Sequence, residues 1–311
     1  MYHALADAIR DAEAAGKTLA QVALEAESKD QGRPIGEIRD ALGRALTIMR
    51  GAVSRGLTGD LYSSSGLVGG DAAKLRTGPA GPMSGTPFRD VLARALAVQE
   101  VNAAMGVIVA APTAGAGGVV PGMLLALEEE RNVDPEKTVR ALVVAGGIGS
   151  IIALSASISG AAGGCQNEVG VASAMGAAGV AYMMGGTTKQ SIHAAAMALK
   201  NTLGLVCDPV GGLVEVPCVK RNALFAVHGL TAAQLALAGV ESAIPMDEIV
   251  EAMVRIGRSL PRGLRETAEG GLATTLTGSA IAQRIKDEAN QRRAERAAER
   301  ERAAQERKAG S

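Results

Sequence analysis

Apolar positions recur at helical spacing over most of this chain, punctuated by proline, glycine and capping residues. Behind Pro34, the side chains of Ile35, Ile38, Leu42, Leu46, Met49 and Val53 share one helical face, and Gly56 supplies a stop. Thr86-Pro87 reads as an N-cap followed by proline at the first helical position, opening a helix that ends near Gly106. Asp134-Pro135-Glu136 repeats the device. Thr187 and Gln190 have capping-box spacing ahead of Ile192, Ala195, Ala196, Leu199 and Leu203, with Gly204 as the stop. Pro217 opens a further helix through Ala238, and Pro245 with Asp247 begins another. Strand-type alternation is confined to Leu213–Val219, where Pro217 interrupts it. The pattern predicts an all-α, compact multi-helix domain with glycine-rich loops.

From about Ile281 the pattern changes, which divides the chain into a domain over residues 1–280 and a tail over 281–311. Residues 284–308 carry nine basic and six acidic side chains. Arg292, Arg296 and Arg300 stack at i,i+4, with Glu295 and Glu299 three residues after the first two, as in a solvated helix laced with ion pairs or a disordered tail.

Composition narrows the picture. Apolar residues make up 47% of the 311 positions, aromatics only 2%, and glycine accounts for 40 residues, so the core is built from small side chains on closely approaching helices. Lysine plus arginine equals aspartate plus glutamate at 32 each, which argues against a dedicated nucleic-acid binder. Val101–Leu127 and Ala141–Gln166 lack charge and have the length of membrane spans, yet no tryptophan or tyrosine marks their ends. Buried helices and loops are expected there instead, with no membrane partner. Residues 1–20 show no apolar signal core, and three widely spaced cysteines do not make a secreted disulfide framework. Both features favour a reducing cytoplasm.

The cysteines are the strongest chemical signal. Cys165 follows Gly163-Gly164, Cys207 lies in Leu205-Val-Cys-Asp-Pro-Val-Gly-Gly212, and Cys218 follows Pro217 at a helix start. Adjacent glycines let backbone approach a bulky inorganic group, and a helix N-terminus favours thiolate over thiol. Such a setting suits an iron–sulfur cluster. Buried structural thiols and a zinc site are the competing readings. The separations of 42 and 11 residues depart from the paired spacing of structural zinc. His193 shares a helical face with Lys189 and Lys200 and reads as solvent-facing, and His228 carries no signal of its own.

Nucleotide signatures fail: Val120 stands where a dinucleotide fingerprint after Gly115 needs glycine, and Gly16-Lys17-Thr18 lacks the upstream glycine of a phosphate loop. The loop Ala111-Pro-Thr-Ala-Gly-Ala-Gly-Gly-Val-Val-Pro121 is either a nest of N–H groups for a carboxylate, with the Thr113 hydroxyl as an added donor, or a tight turn between buried helices.

Six stretches in one order carry a resemblance. They are Asn102-Ala-Ala-Met-Gly106, Ala111-Pro-Thr-Ala-Gly115, Ser157-Ile-Ser-Gly-Ala-Ala-Gly-Gly-Cys-Gln166, Leu203-Gly-Leu-Val-Cys-Asp-Pro-Val210, Val216-Pro-Cys-Val-Lys-Arg-Asn-Ala223 and Arg265-Glu-Thr-Ala-Glu-Gly-Gly-Leu-Ala273. Together they resemble the alpha chain of iron–sulfur L-serine dehydratase (L-serine ammonia-lyase), up to about Gly278 and including both cysteine spacings. The resemblance implies a [4Fe-4S] cluster on Cys165, Cys207 and Cys218, with one iron left without a protein thiolate. That iron would be the Lewis acid in β-elimination of L-serine to pyruvate and ammonia. The resemblance also implies an oxygen-sensitive cytoplasmic enzyme of amino-acid degradation and gluconeogenesis.

Placed on the matching motifs, Thr113, Ala114 and Gly115 are expected to grip the substrate carboxylate. Asn102, Glu168, Arg221 and Asn222 are further candidate substrate contacts. Single-chain members of the family carry a second, smaller domain expected to supply the catalytic histidine. Two-subunit members place it on a separate beta chain. This chain has no room for that domain, so a beta chain is the expected partner, in a hetero-oligomer with the base on that chain. The tail, Lys308-Ala-Gly-Ser311, also lacks the terminal cysteine with which some members occupy the open iron. Two other activities remain open on the residues: a cluster-dependent cysteine desulfidase, and a non-catalytic iron–sulfur or zinc scaffold. A pyridoxal-phosphate enzyme would need a Schiff-base lysine, and no lysine here is singled out by its setting.

Overall fold

The computed structural model describes residues 5–309 and contains no strand among them, only an isolated bridge between Cys207 and Arg265. The first helices are α1 (Leu5–Ala15), α2 (Leu19–Gln31), α3 (Ile35–Gly56), α4 (Asp71–Thr77), α5 (Pro87–Ala103), α6 (Val119–Glu130) and α7 (Pro135–Ser155). They are followed by α8 (Gly160–Gly163), α9 (Val169–Met183), α10 (Thr188–Lys200), α11 (Cys218–Leu237), α12 (Met246–Ser259) and α13 (Leu276–Ala309). The all-α expectation holds.

Most helix starts follow the local chemistry of the sequence. Thr187 and Gln190 form a reciprocal capping box, and the Asp134 side chain accepts from the Glu136 amide. Thr86 occupies the cap position of α5, but its hydroxyl donates to the Met83 carbonyl at 2.7 Å rather than capping the helix. At the other end of α10 the helix stops at Lys200, a turn earlier than the apolar spacing suggests. There Asn201 Nδ2 and Thr202 Oγ1 donate back to the carbonyls of Met197 and Leu199, and Leu203 falls in the turn beyond.

Helix α9 is the axis of the fold. Every residue from Val169 to Ala181 is buried, and α6, α7, α10 and α11 pack around it. Small residues make this possible. A Cβ on Gly229 of α11 would lie 2.9 Å from the Ser173 carbonyl of α9, and one on Gly179 would lie 2.9 Å from the Ala141 carbonyl of α7. Backbone therefore sits against side chain or backbone at these crossings, which explains the glycine content and the scarcity of aromatics.

The uncharged stretches behave as core. Val101–Leu127 spans the end of α5, a loop and α6, whereas Ala141–Gln166 covers most of α7 and the turns after it. Among the described residues α7 alone has the length and apolarity of a membrane span, and it packs on α9, α2 and α3. At the far end α13 is one continuous helix. Its first turns rest on Val210–Gly212, and its exposed remainder carries pairs such as Arg284–Glu288.

Two glycines of α3 separate packing from propensity. Gly51 is exposed with open space where a Cβ would go, whereas a Cβ on Gly56 would overlap the Ala97 backbone of α5. Gly51→Ala is expected to raise stability by up to about 1 kcal/mol. Gly56→Ala should lower it by roughly 1–3 kcal/mol, both read as shifts in the urea midpoint.

A candidate metal and substrate site

The three cysteines come from three connections that fold against one another. Cys218 is the first residue of α11, and the amide of Val219 closes the turn on the Glu215 carbonyl at 3.0 Å. The next residues tie that turn to other segments. Lys220 Nζ reaches Asp71 Oδ2 at 2.6 Å, at the start of α4. Arg221 donates to the Val206 carbonyl at 2.9 Å and makes a close ion pair with Asp208 Oδ1, also at 2.9 Å, though too bent to be an aligned hydrogen bond. Asn222 is fully buried; its Oδ1 accepts from the Gly118 amide at 3.0 Å, and its Nδ2 donates to the carbonyls of Gly115 and Cys218 at 2.7 and 3.0 Å.

Cys165 lies in a tight turn between α8 and α9. The turn requires Gly164, whose φ is +82° and where a Cβ would meet the Leu205 carbonyl at 2.6 Å. Gln166 locks this turn to the Cys207 segment. Its amide donates to the Leu205 carbonyl at 3.2 Å, and its side-chain oxygen accepts from the Gly204 amide at 2.9 Å. Cys207 in turn pairs with the segment after α12. Its amide donates to the Leu264 carbonyl at 2.9 Å, and the Glu266 amide donates to its carbonyl at 2.8 Å. Glu266 adopts φ +62°, a conformation that non-glycine residues take only when surroundings enforce it.

Two carboxylates join the thiols. Donor atoms of Glu168, Cys207 and Glu266 all lie within 4.8 Å of one another, close enough to hold a metal ion. Gly160 leaves the room: a Cβ there would come within 2.7 Å of Glu168 Oε2, 3.0 Å of Cys207 Sγ and 3.2 Å of Glu266 Oε2. Burial raises the Glu168 pKa, the Thr113 hydroxyl opposes that, and the Glu266 charge adds to it. The Thr113 oxygen is buried beside this carboxyl without a well-formed hydrogen bond.

Burial also pushes the thiols up, Cys165 to about 11 and Cys218 to about 12, and Cys207 is raised as well. Cys165 adds to the rise of the last two, while Arg221 beside Cys165 and Cys218 pulls the other way. Desolvated neutral thiols around a cationic side chain suit a thiophilic group that replaces their protons.

The loop before α6 completes the site. Gln99 Nε2 and Asn102 Nδ2 donate to the Ala114 carbonyl at 2.9 and 3.3 Å, and Asn222 holds Gly115. The position of a Gly115 Cβ lies 3.6 Å from Glu168 Oε1, so this stretch faces the carboxylate. The structure thus brings Thr113, Gly115 and Glu168 together beside Cys207, with Ala114 in the same turn. Asn102 and Asn222 reach the loop from behind, through its carbonyls. Arg221 is beside Cys165, with its guanidinium committed to Val206 and Asp208.

Residues 14–273 match the family model described as serine dehydratase alpha chain. The chain belongs to that family. It is 54% identical over 244 residues to the probable L-serine dehydratase alpha chain of Bacillus subtilis (strain 168), covering 77% of this chain and 80% of that one. It is 42% identical over 270 residues to the L-serine dehydratase alpha chain of Peptoniphilus asaccharolyticus, covering 86% and 92% respectively. With L-serine dehydratase 2 of Escherichia coli (strain K12) it shares 40% identity over 252 residues, but spans only 54% of that protein.

Within this serine dehydratase alpha chain fold, sequence reasoning missed Glu266 and Gln99. Glu266 sits in a motif that was recognised, but spacing alone does not distinguish it from Glu269, which pairs outward with Arg262. Gln99 looks like any polar residue on α5, yet it is fully buried. Of the histidines, His193 differs from the solvent-facing expectation. His193 is half-buried, its Nδ1 accepting from the Ser242 amide at 3.1 Å, and His228 Nε2 lies 2.8 Å from the Ala198 carbonyl.

Asn222→Ala would leave the Gly118 amide and the Gly115 carbonyl without their partner, while the Cys218 carbonyl keeps its helical bond. It is expected to cost roughly 2–3 kcal/mol in urea denaturation of the full chain.

Proposed function

We propose that this chain is the alpha subunit of an L-serine ammonia-lyase that converts L-serine to pyruvate and ammonia by β-elimination. What supports the reading is the meeting of Cys207 and two carboxylates beside the Thr113–Gly115 loop, with the desolvated Cys165 and Cys218 on connections tied to it, in a chain whose relatives bear the name L-serine dehydratase. Cys165, Cys207 and Cys218 would hold a [4Fe-4S] cluster. With three protein thiolates for four irons, such a group supplies a Lewis acid for the substrate β-hydroxyl, which is otherwise a poor leaving group at neutral pH.

The chain's own residues bind and orient. The Thr113 hydroxyl and the backbone N–H groups of Ala114 and Gly115 take the substrate carboxylate, held in place by Gln99, Asn102 and Asn222 from behind. Glu168 and Glu266, on the opposite side of that loop, accept from the α-ammonium group. This arrangement fixes the α-carbon between a cradle of neutral donors and a pair of carboxylates and presents its proton to one side. Elimination then yields aminoacrylate, which tautomerises and hydrolyses to the products.

We place the base for the α-proton on a beta chain. The supporting observations are the alpha-chain names of the relatives and the half-length span on the longer bacterial enzyme. The assembly is then a cytoplasmic hetero-oligomer, with residues 1–280 as the catalytic body and the charged part of α13 as an appendage.

Anaerobic reconstitution with iron and sulfide is expected to give a broad visible absorption, and pyruvate from L-serine once the beta chain is added. Cys207→Ser should lose the cluster and at least about 10²-fold in activity. Full cluster content and activity in that variant, or zinc without sulfide in the anaerobically purified protein, would sink the reading.

A further inference from the structure

One buried acidic side chain near the cysteines has no part in the chemistry above. Glu215 lies between Cys207 and Cys218, is 5% exposed, and has no salt bridge among the described residues. A buried carboxylate without a cation is costly unless hydrogen bonds satisfy it. Two serines do so. Ser63 Oγ donates to Glu215 Oε2 at 2.7 Å and Ser65 Oγ donates to the same oxygen, with both serines as buried as the glutamate.

These serines belong to a strap between α3 and α4 that is itself tightly closed. The Ser63 amide donates to the Val68 carbonyl at 2.9 Å, and the Leu67 amide donates to Ser65 Oγ at 3.2 Å. Arg284 of α13 adds a bond from outside, donating to the Ser65 carbonyl at 3.2 Å. On the other side, Glu215 belongs to the hairpin-like loop in which the Val210 amide donates to the Val216 carbonyl at 2.9 Å. Its own carbonyl accepts from Val219 and closes the first turn of α11. Any displacement of Glu215 therefore moves Cys218.

We propose that Glu215 is a positioning residue for Cys218, with Ser63 and Ser65 clasping the Cys207–Cys218 loop so that the three thiols stay convergent. The inference rests on the cluster reading above. It assigns a role to a strap that lies far from the loop in sequence, Ser63 being 152 positions and Ser65 150 positions from Glu215. The serines need no contact with substrate, and the clasp acts through loop geometry alone.

The test compares wild type, Glu215→Ala, Glu215→Gln and the double variant Ser63→Ala/Ser65→Ala, each as full-length chain with its beta chain after anaerobic reconstitution. Iron and sulfide per chain, the paramagnetic resonance spectrum of the reduced cluster and the rate of bleaching in air are measured. Thermal unfolding of the unreconstituted chains is measured alongside. Glu215→Ala and the double-serine variant are expected to bleach about tenfold faster with an altered resonance spectrum, since breaking one buried hydrogen-bonded site is worth about that factor. Glu215→Gln, which keeps an acceptor for one serine, should recover most of the difference.

If both disruptive variants hold the cluster as long as wild type with an unchanged spectrum, the inference is overturned while the cluster reading stands. Bleaching that merely follows the thermal midpoint, with no rescue by glutamine, also overturns it, because that is the signature of general destabilisation. Should Glu215→Ala fail to fold, the double-serine variant carries the same comparison. A wild-type chain that takes up neither iron nor sulfide refutes the cluster reading itself, and this inference with it.

Discussion

The first turn of α11 is the constraint on which the site depends. Three consecutive side chains there, Lys220, Arg221 and Asn222, point the same helical turn at three different segments. Successive residues on a helix are about 100° apart, so one turn can address three directions at once. Cys218 begins that turn, and its position is therefore set by α4, by the Cys207 connection and by the loop before α6 together. Of the three ties, the Asn222 contacts are the most deeply buried, and their loss would expose no water to replace them.

How much of this was legible in the sequence varies with the kind of signal. Helix starts at Pro34, Pro135, Thr187, Pro217 and Pro245 could be read because capping is local chemistry, settled within four residues. The end of α10 could not, because Asn201 and Thr202 stop it by folding back on its carbonyls, an option that apolar spacing does not encode. The cysteines stood out by their glycine and proline neighbours, whereas the second carboxylate did not. Glu266, though exposed, reaches Cys207 because the bridge beside it and a left-handed backbone turn its carboxylate toward that sulfur. Arg221 was visible as a charged residue in a shared motif, but its pairing with Asp208 on the Cys207 connection is a tertiary fact.

The small-residue core and the site are two expressions of one design. Helices that cross at glycine and alanine approach closely, so α9 is enclosed without bulky side chains and its N-terminal end sits deep in the protein. Glu168 and the Cys165 turn are placed at that end, which is why burial dominates the titration of both side chains. A core of larger side chains would hold the same helices farther apart, and the Cys165 and Cys207 connections would lose their direct backbone contact.

The parallel bridge between Cys207 and Arg265 carries a temporal consequence. The partners of Cys207 lie at residues 264–266, close to the end of the family-matched region. During synthesis, the cysteines emerge well before the segment that orders Cys207 and delivers the second carboxylate. A nascent chain ending before that point holds all three thiols in an unfinished cradle. The contacts that order Cys207 can therefore form only after nearly the whole family-matched region has been made.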